Sequence, residues 1–124
     1  MNLLLDTQVL LWWLADIKFD NNAMESIADD RNVVFVSAVS VWEISIKQAI
    51  GKLQIPDGFE ESLVKSGFEK LDITFDHAMT AGKLPPFHRD PFDRMLIAQA
   101  IIQDLVFLTA DSRLREYKVK LLQI

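Results

Sequence analysis

Two aspartates follow short apolar runs of the sequence, and they are the first candidates for chemistry. Asp6 comes directly after the run Asn2–Leu5, and Asp111 comes two residues after the run Leu105–Thr109. Such runs are typical of strands buried in a parallel sheet, where ligands bind beyond the carboxyl ends of the strands. Both side chains would then lie at one edge of the sheet. Each aspartate also precedes a helical pattern, so helix capping is an alternative role for both.

A third acid is expected at the same edge from a helix. Glu43 lies in the helical pattern Val39–Ile50, which follows the β-branched run Val33–Ser37. Because this helix begins where the strand ends, Glu43 falls within about one turn of the sheet edge. Its alternative role is an exposed pair with Lys47 four residues later, an interaction worth only about 0.2–0.5 kcal/mol.

A fourth acid lies at the start of the strongest helical pattern of the chain, Pro91–Gln103. Proline suits the first position of a helix, so Asp90 is the expected N-cap and Asp93 the third helical residue. Capping accounts well for Asp90. It accounts less well for Asp93. A carboxylate at this position gains from the helix dipole, but it also projects from the first turn of a helix that then becomes almost wholly apolar.

These four carboxylates would repel one another if they met at one edge. Some would take up protons unless a cation neutralised them. Ligation by oxygen alone favours Mg²⁺ or Mn²⁺ over zinc, and the sequence has no Cys and no closely spaced His pair. A divalent cation in such a site can neutralise phosphate charge and activate water. The sequence leaves open whether one ion or two would bind.

Short apolar runs alternate with longer helical patterns along the chain. The predicted strands are 2–5, 33–37, 70–73, 105–109 and 119–122. The predicted helices are 7–15, 21–29, 39–50, 59–65, 75–82, 91–103 and 112–117. This alternation predicts an α/β fold with a central parallel sheet covered by helices on both faces. A length of 124 residues suits a single domain, 1–124.

Composition narrows the class of protein. Half of the residues are apolar, which is too many for a disordered chain. The net charge of −5 argues against a simple basic-patch binder of nucleic acid. The absence of Cys excludes a disulfide framework and a thiolate zinc site. No apolar run is long enough to span a membrane, and the start lacks the basic region of a signal peptide, so we expect a cytoplasmic location.

Four strings of the sequence together carry a resemblance to a known family. They are LLDT at 4–7, SAVSVWEI at 37–44, HRDPFDRMLIAQA at 88–100 and LTAD at 108–111. In this order and spacing they resemble PIN-domain proteins, and more narrowly VapC-type toxins of bacterial type II toxin–antitoxin systems. The resemblance extends over essentially the whole chain.

The resemblance implies a three-layer α/β/α sandwich and a Mg²⁺- or Mn²⁺-dependent endoribonuclease acting on RNA. It implies that Asp6 and Asp93 are the principal metal ligands, and that Glu43 and Asp111 complete the catalytic site directly or through water. It also implies a homodimer that is silenced by a cognate antitoxin protein. Gln8 is a departure from the family, since close relatives often have His or Asn at this position.

Several basic residues flank the candidate site in sequence. The residues that could bind RNA phosphates near the metal are Arg89, Arg94 and Arg113, and also His88 and Arg115. A solvated, charge-balanced rim is their alternative role. His88 is not needed as a base if a metal generates hydroxide. His77 is expected to be an ordinary surface or helix residue.

Two adjacent tryptophans lie on the first predicted helix. Trp12 and Trp13 cannot share one helix face. Packing of both in the core is the favoured interpretation. The alternative is that one of them anchors a second subunit or an antitoxin.

Two other functions fit the size and the α/β pattern. A receiver-like, non-enzymatic signalling module with an acidic metal pocket would need paired acids after the first strand, but Asp6 stands alone there. It would also need an acid after a middle strand, where Ser37 is followed by Ala38. A phosphatase with an Asp nucleophile would need an acid at the position of Gln8.

Overall fold

The structure is a computed structural model that describes residues 1–55 and 57–124. Within these residues, five strands form one sheet: β1 (Asn2–Leu5), β2 (Val33–Ser37), β3 (Glu69–Leu71), β4 (Val106–Thr109) and β5 (Leu121–Gln123). The α-helices are α1 (Thr7–Leu14), α2 (Asn21–Ala28), α3 (Ala38–Ala49), α4 (Phe59–Lys65), α5 (Phe75–Lys83) and α6 (Pro91–Gln103). The predicted helix at 112–117 is a 3₁₀ helix, Ser112–Glu116. The predicted boundaries agree with the structure to within two residues.

All pairings between neighbouring strands are parallel, and the strand order is β3-β2-β1-β4-β5. The chain therefore builds outward from β1 to β3 and then crosses to the other side of β1. The strand order reverses between β1 and β4, and such a switch point opens a crevice at the carboxyl ends of the two strands.

Side chains alternate across the sheet and create two separate cores. Leu3 and Leu5 point to the layer that contains α1, α2 and α4. Leu4, between them, points to the opposite layer with α6 and the 3₁₀ helix. The predicted three-layer α/β/α sandwich is confirmed, because helices cover both faces of a sheet whose central strand is buried.

Helix α6 lies under one face of the sheet and carries the first-turn acid Asp93. Its middle, from Leu96 to Ala100, is fully buried, which explains its apolar character. Ile101 and Ile102 near its C-terminus are 39% exposed, so the helix is less completely buried than its sequence indicates. No helix among residues 1–55 and 57–124 is both long and apolar enough to cross a membrane.

Both adjacent tryptophans of α1 are half-buried and pack against the core, so the favoured interpretation is confirmed in part. Trp12 contacts Phe19 with ring centroids 5.8 Å apart, and Trp13 contacts Phe68 at 6.1 Å. Both rings border the core on the α1 side of the sheet. It is Trp42 of α3 that is exposed.

Candidate active site

The structure brings the four predicted acids together in one cleft of about 280 Å³. The cleft opens at the carboxyl ends of β1 and β4, where the strand order reverses. Asp6, Glu43, Asp93 and Asp111 all line it. The remaining lining residues are Thr7, Gln8, Leu11, Lys47, Asp90 and Ala110. The parallel pairing of β1 with β4 explains this convergence, since it places the ends of both strands at one edge.

Asp6 lies at the centre of the sheet edge and is 6% exposed. Its Oδ1 accepts a hydrogen bond of 2.8 Å from the Val9 amide, so it caps α1. Its Oδ2 accepts a bond of 2.5 Å from the Thr109 hydroxyl. Burial raises the pKa of Asp6, and these two hydrogen bonds oppose the rise. The predicted capping role and a place in the cleft are therefore compatible for this residue.

Asp93 is half-buried in the first turn of α6, and His88 lies beside it. His88 Nε2 and Asp93 Oδ2 are 2.8 Å apart. An ionised carboxylate can only accept, so the imidazole N–H donates to it. Burial raises the pKa of Asp93 to about 6, with the neighbouring Asp90 adding to the rise and the His88 hydrogen bond opposing it. Asp90 is the N-cap of α6, as predicted, and accepts from the Phe92 amide at 2.8 Å.

Glu43 enters the cleft from α3 and is 6% exposed. Its Oε2 contacts the ammonium nitrogen of Lys47 at 2.7 Å, one turn along the same helix. The pair with Lys47 is thus present, but the carboxylate is buried rather than exposed. Lys47 lines the same cleft and brings a positive charge to it. The Glu43 carboxylate raises the pKa of Lys47, so the lysine stays charged.

Asp111 lies on the side of the cleft formed by the turn after β4. Its two oxygens accept from the guanidinium of Arg113 at 2.7 and 2.9 Å. This ion pair lowers the pKa of Asp111. Asp111 also accepts from the Arg113 amide at 3.0 Å and so caps the 3₁₀ helix.

Arg94 is not among the residues that line the cleft, although it directly follows Asp93 in sequence. Its two terminal nitrogens donate to backbone carbonyls at the end of α5 and in the segment between α5 and α6, and to the Tyr117 hydroxyl. The acceptors are the carbonyls of Ala81, Leu84, Pro85 and His88 and the Tyr117 hydroxyl, at 2.9–3.4 Å. These donors are used inside the protein, so the contacts argue against the predicted role in phosphate binding.

The other basic residues have different surroundings. Arg89 and Arg113 are exposed, and Arg113 is the partner of Asp111. His77 is a helix residue, as expected, but it is not on the surface. It is 1% exposed and forms a capping box with Thr74 at the start of α5.

The contacts of three residues in this region were not predicted from the sequence. His88 contacts Asp93, Thr109 contacts Asp6, and Asp90 lines the cleft. One nitrogen or oxygen atom from each of His88, Asp90 and Asp93 lies within 4.8 Å of the others, a spacing that fits a metal ion. Thr109 could have been found from the sequence, because it ends the strand next to β1, but the His88 contact depends on how the chain turns before α6.

A larger groove of about 620 Å³ lies elsewhere, between α3, α4 and β3. Its floor includes apolar side chains such as Ile44, Leu63 and Phe68, and acids such as Glu60 and Glu61 lie around it. The smaller cleft is the better candidate for catalysis, because its acids converge and burial has shifted the pKa of two of them.

Comparison with known sequences identifies the family. The model of the PIN domain matches residues 3–120. Ribonuclease VapC22 of Mycobacterium tuberculosis is 30% identical over 118 residues, which cover 93% of this chain and 91% of that protein.

Solved structures show the same fold at low sequence identity. VapBC2 of Rickettsia felis, bound to a promoter DNA fragment, has a chain that superposes with a TM-score of 0.76 at 14% identity. A chain of VapBC of Salmonella typhimurium bound to DNA superposes with a TM-score of 0.68 at 17% identity. A chain of VapBC-5 of Mycobacterium tuberculosis superposes with a TM-score of 0.63 at 15% identity. Each match covers 99% of this chain and 98% of the other. With the family model spanning nearly its whole length, the chain belongs to the PIN domain family.

Proposed function

We propose that this protein is a divalent-metal-dependent endoribonuclease and the toxin component of a bacterial type II toxin–antitoxin system. The observation that carries the proposal is the convergence of four carboxylates in one cleft of a PIN domain. A relative named as a ribonuclease, similar over nearly the full length of both chains, supports the reaction class. The receiver-like alternative is not retained, because the chain belongs to a different family.

The donor chemistry of the cleft fits Mg²⁺ or Mn²⁺. Its lining offers carboxylate oxygens, the ligands that these hard cations prefer. Burial raises the pKa of both Asp6 and Asp93, which means that their negative charge is poorly compensated by the protein. A bound cation would supply that compensation.

The four acids are proposed to have two kinds of role. Asp6 and Asp93 would hold the ion as principal ligands. Glu43 and Asp111 would complete the site directly or through water, and one of them would align the attacking water. When bound, the divalent cation supplies positive charge against the phosphate and promotes ionisation of water near neutral pH.

RNA would approach the open side of the cleft. Arg89 and Arg113 are exposed and lie within two residues of the cleft residues Asp90 and Asp111, so they are the proposed phosphate contacts. Arg113 also offsets the charge of Asp111, and a phosphate would compete with that carboxylate for the guanidinium. Arg94 is left out of this proposal because of its contacts with backbone carbonyls.

We also propose a cognate antitoxin and a homodimer as partners. The antitoxin proposal is supported by the similarity of the fold to chains of VapBC toxin–antitoxin complexes. Exposed apolar side chains on α5 and α6 support a subunit interface, and Phe75 is 88% exposed. Light scattering of the purified protein measures the dimer. Co-purification with the product of a neighbouring small reading frame measures the antitoxin complex.

Cleavage of defined RNAs tests the reaction. Transfer, ribosomal and messenger RNAs are incubated with the protein in Mg²⁺, in Mn²⁺ and in EDTA. We expect cleavage with either metal and none in EDTA, and restoration when metal is added back. Cleavage that persists in EDTA would contradict metal dependence. Absence of cleavage of every RNA, together with no growth arrest when the protein is expressed alone in a bacterial host, would contradict the toxin proposal.

A further inference from the structure

His88 is a buried histidine for which the proposed chemistry has no role. It is 9% exposed, and its Nε2 lies 2.8 Å from Oδ2 of Asp93. Within residues 1–55 and 57–124, no protein group donates a hydrogen bond to Oδ1 of Asp93. The imidazole therefore holds one oxygen of this carboxylate and leaves the other for a ligand in the cleft.

The backbone of His88 is itself held by Tyr117, the residue directly after the 3₁₀ helix. The His88 amide donates to the Tyr117 hydroxyl at 3.0 Å, and that hydroxyl donates to the Pro85 carbonyl at 2.8 Å. Tyr117 is 4% exposed, and its ring packs against Phe87 with centroids 5.2 Å apart. The Tyr117 hydroxyl thus links the backbone of Pro85 to that of His88 in the segment that precedes α6.

Arg94 fixes the same segment from α6. Its guanidinium contacts the carbonyls of Pro85 and His88 at 3.0 and 3.3 Å. Arg94 follows Asp93 directly on the first turn of the helix, so the residue that holds the segment and the acid that His88 contacts share one rigid element. The imidazole has little freedom to leave the carboxylate, because backbone bonds on both sides restrain it.

We propose that His88 is a positioning residue that sets the orientation of the Asp93 carboxylate toward the cleft, with Tyr117 and Arg94 holding the imidazole in place. This inference rests on the proposed metal-binding function of the cleft. Groups that orient metal ligands typically change metal affinity by about 10- to 100-fold when they are replaced. His88 would act through Asp93 and would not touch the metal or the RNA.

Two substitutions separate this role from simple packing. His88→Gln places an amide N–H at the same number of bonds from Cα as Nε2 of histidine, so it can still donate to Asp93. His88→Asn is one bond shorter and cannot reach. The matched control is His77→Asn, which alters the other buried histidine, located at the start of α5 and bonded to Gln103.

The test is the affinity of each purified, folded variant for Mn²⁺, measured by electron paramagnetic resonance without RNA. We expect His88→Asn to bind Mn²⁺ about 10- to 100-fold more weakly than the wild type. We expect His88→Gln to restore affinity close to the wild-type value, and His77→Asn to leave it unchanged. Thermal unfolding of each variant confirms that the protein is folded at the temperature of the titration.

Specific results would overturn the inference. Wild-type affinity in His88→Asn would show that the imidazole does not position Asp93. Equal losses in His88→Gln and His88→Asn would indicate packing or direct ligation by the imidazole instead. In both cases, loss of Mn²⁺ binding in Asp93→Asn would leave the proposed function intact. A wild-type protein that binds no Mn²⁺ would contradict the proposed function and this inference together.

Discussion

The acids of the cleft divide into two pairs that the protein treats differently. Asp6 and Asp93, the hydrogen-bonded acids, contact a hydroxyl and an imidazole. Glu43 and Asp111, the cation-paired acids, contact Lys47 and Arg113. Burial raises the pKa of both hydrogen-bonded acids, whereas the ion pair with Arg113 lowers the pKa of Asp111.

This contrast locates the charge that the protein leaves uncompensated. A carboxylate beside a lysine or arginine is already neutralised and gains less from a metal ion. A buried carboxylate held by neutral donors gains most from one. The comparison therefore predicts that the ion binds chiefly to Asp6 and Asp93, and that the cation-paired acids contribute more to substrate and water than to metal affinity.

The largest effect on RNA cleavage is expected when a hydrogen-bonded acid is replaced. Asp93→Asn keeps an acceptor for His88 but removes the charge, so RNA cleavage should fall by at least about a hundredfold. The assay is initial-rate cleavage at saturating Mg²⁺. The matched control is Asp104→Asn at the other end of α6, where Asp104 is 78% exposed and paired with Lys120. Full activity in Asp93→Asn would contradict the claim that the hydrogen-bonded acids contribute more to cleavage than the cation-paired acids.

A smaller loss is expected for a cation-paired acid. Asp111→Asn should reduce the cleavage rate by about tenfold and leave Mn²⁺ affinity nearly unchanged, because Arg113 already balances this carboxylate. Rate and metal titrations on the same preparation measure both quantities. A loss of Mn²⁺ affinity as large as that of Asp93→Asn would show that the four acids form one equivalent set.

The raised pKa of Asp93 has a consequence for stability in EDTA. Its folded-state pKa of about 6 lies above the ordinary value of 3.8, so the folded protein binds this proton more tightly than the unfolded chain. Protonated Asp93 therefore adds to the free energy of unfolding at low pH, and this contribution is lost as pH rises through about 6.

At neutral pH without metal, Asp93→Asn should accordingly unfold at a higher temperature than the wild type. We expect a rise of about 4 °C, the change that 1 kcal/mol produces in a domain of this size. Asp111→Asn should instead unfold at a lower temperature than the wild type, because it loses a favourable ion pair. Calorimetry in EDTA and in Mn²⁺ measures both. A fall in the melting temperature of Asp93→Asn would contradict the claim that its charge is poorly compensated.

The smallest effect is expected at the exposed arginine of the rim. Arg89→Gln should weaken RNA binding by about two- to fivefold, since one exposed phosphate contact is worth less than about 1 kcal/mol, and should leave stability unchanged. Titration of a non-cleaved RNA into the Asp93→Asn background measures it. In contrast, Arg94→Gln should destabilise the protein measurably, because its carbonyl acceptors would be left without donors. Unchanged stability in Arg94→Gln would contradict this structural role.

The fold and the convergence of the acids could be predicted because their signals are local. Apolar β-branched runs identify the strands, and parallel pairing then places Asp6 and Asp111 at one edge. Pro91 and Asp90 mark the start of α6, which places Asp93. These inferences need only the pattern of each segment and one rule about parallel sheets.

The surroundings of the charged groups could not be predicted in the same way. An arginine next to an acid suggests phosphate binding, yet Arg94 donates to carbonyls at the end of α5 and just after it, which the packing of α5 on α6 brings close to the guanidinium. The partner of His88 likewise depends on how that segment returns to the cleft. The two cation pairs are local in sequence, whereas the contacts of Asp6 with Thr109 and of Asp93 with His88 depend on the tertiary structure.

Anomalous diffraction from Mn²⁺-soaked crystals of the wild-type protein tests the central claim most directly. The account predicts a peak within about 2.5 Å of carboxylate oxygens of both Asp6 and Asp93. A peak bound only by Glu43 and Asp111, or one bound by His88 and Asp90 without Asp6, would contradict it.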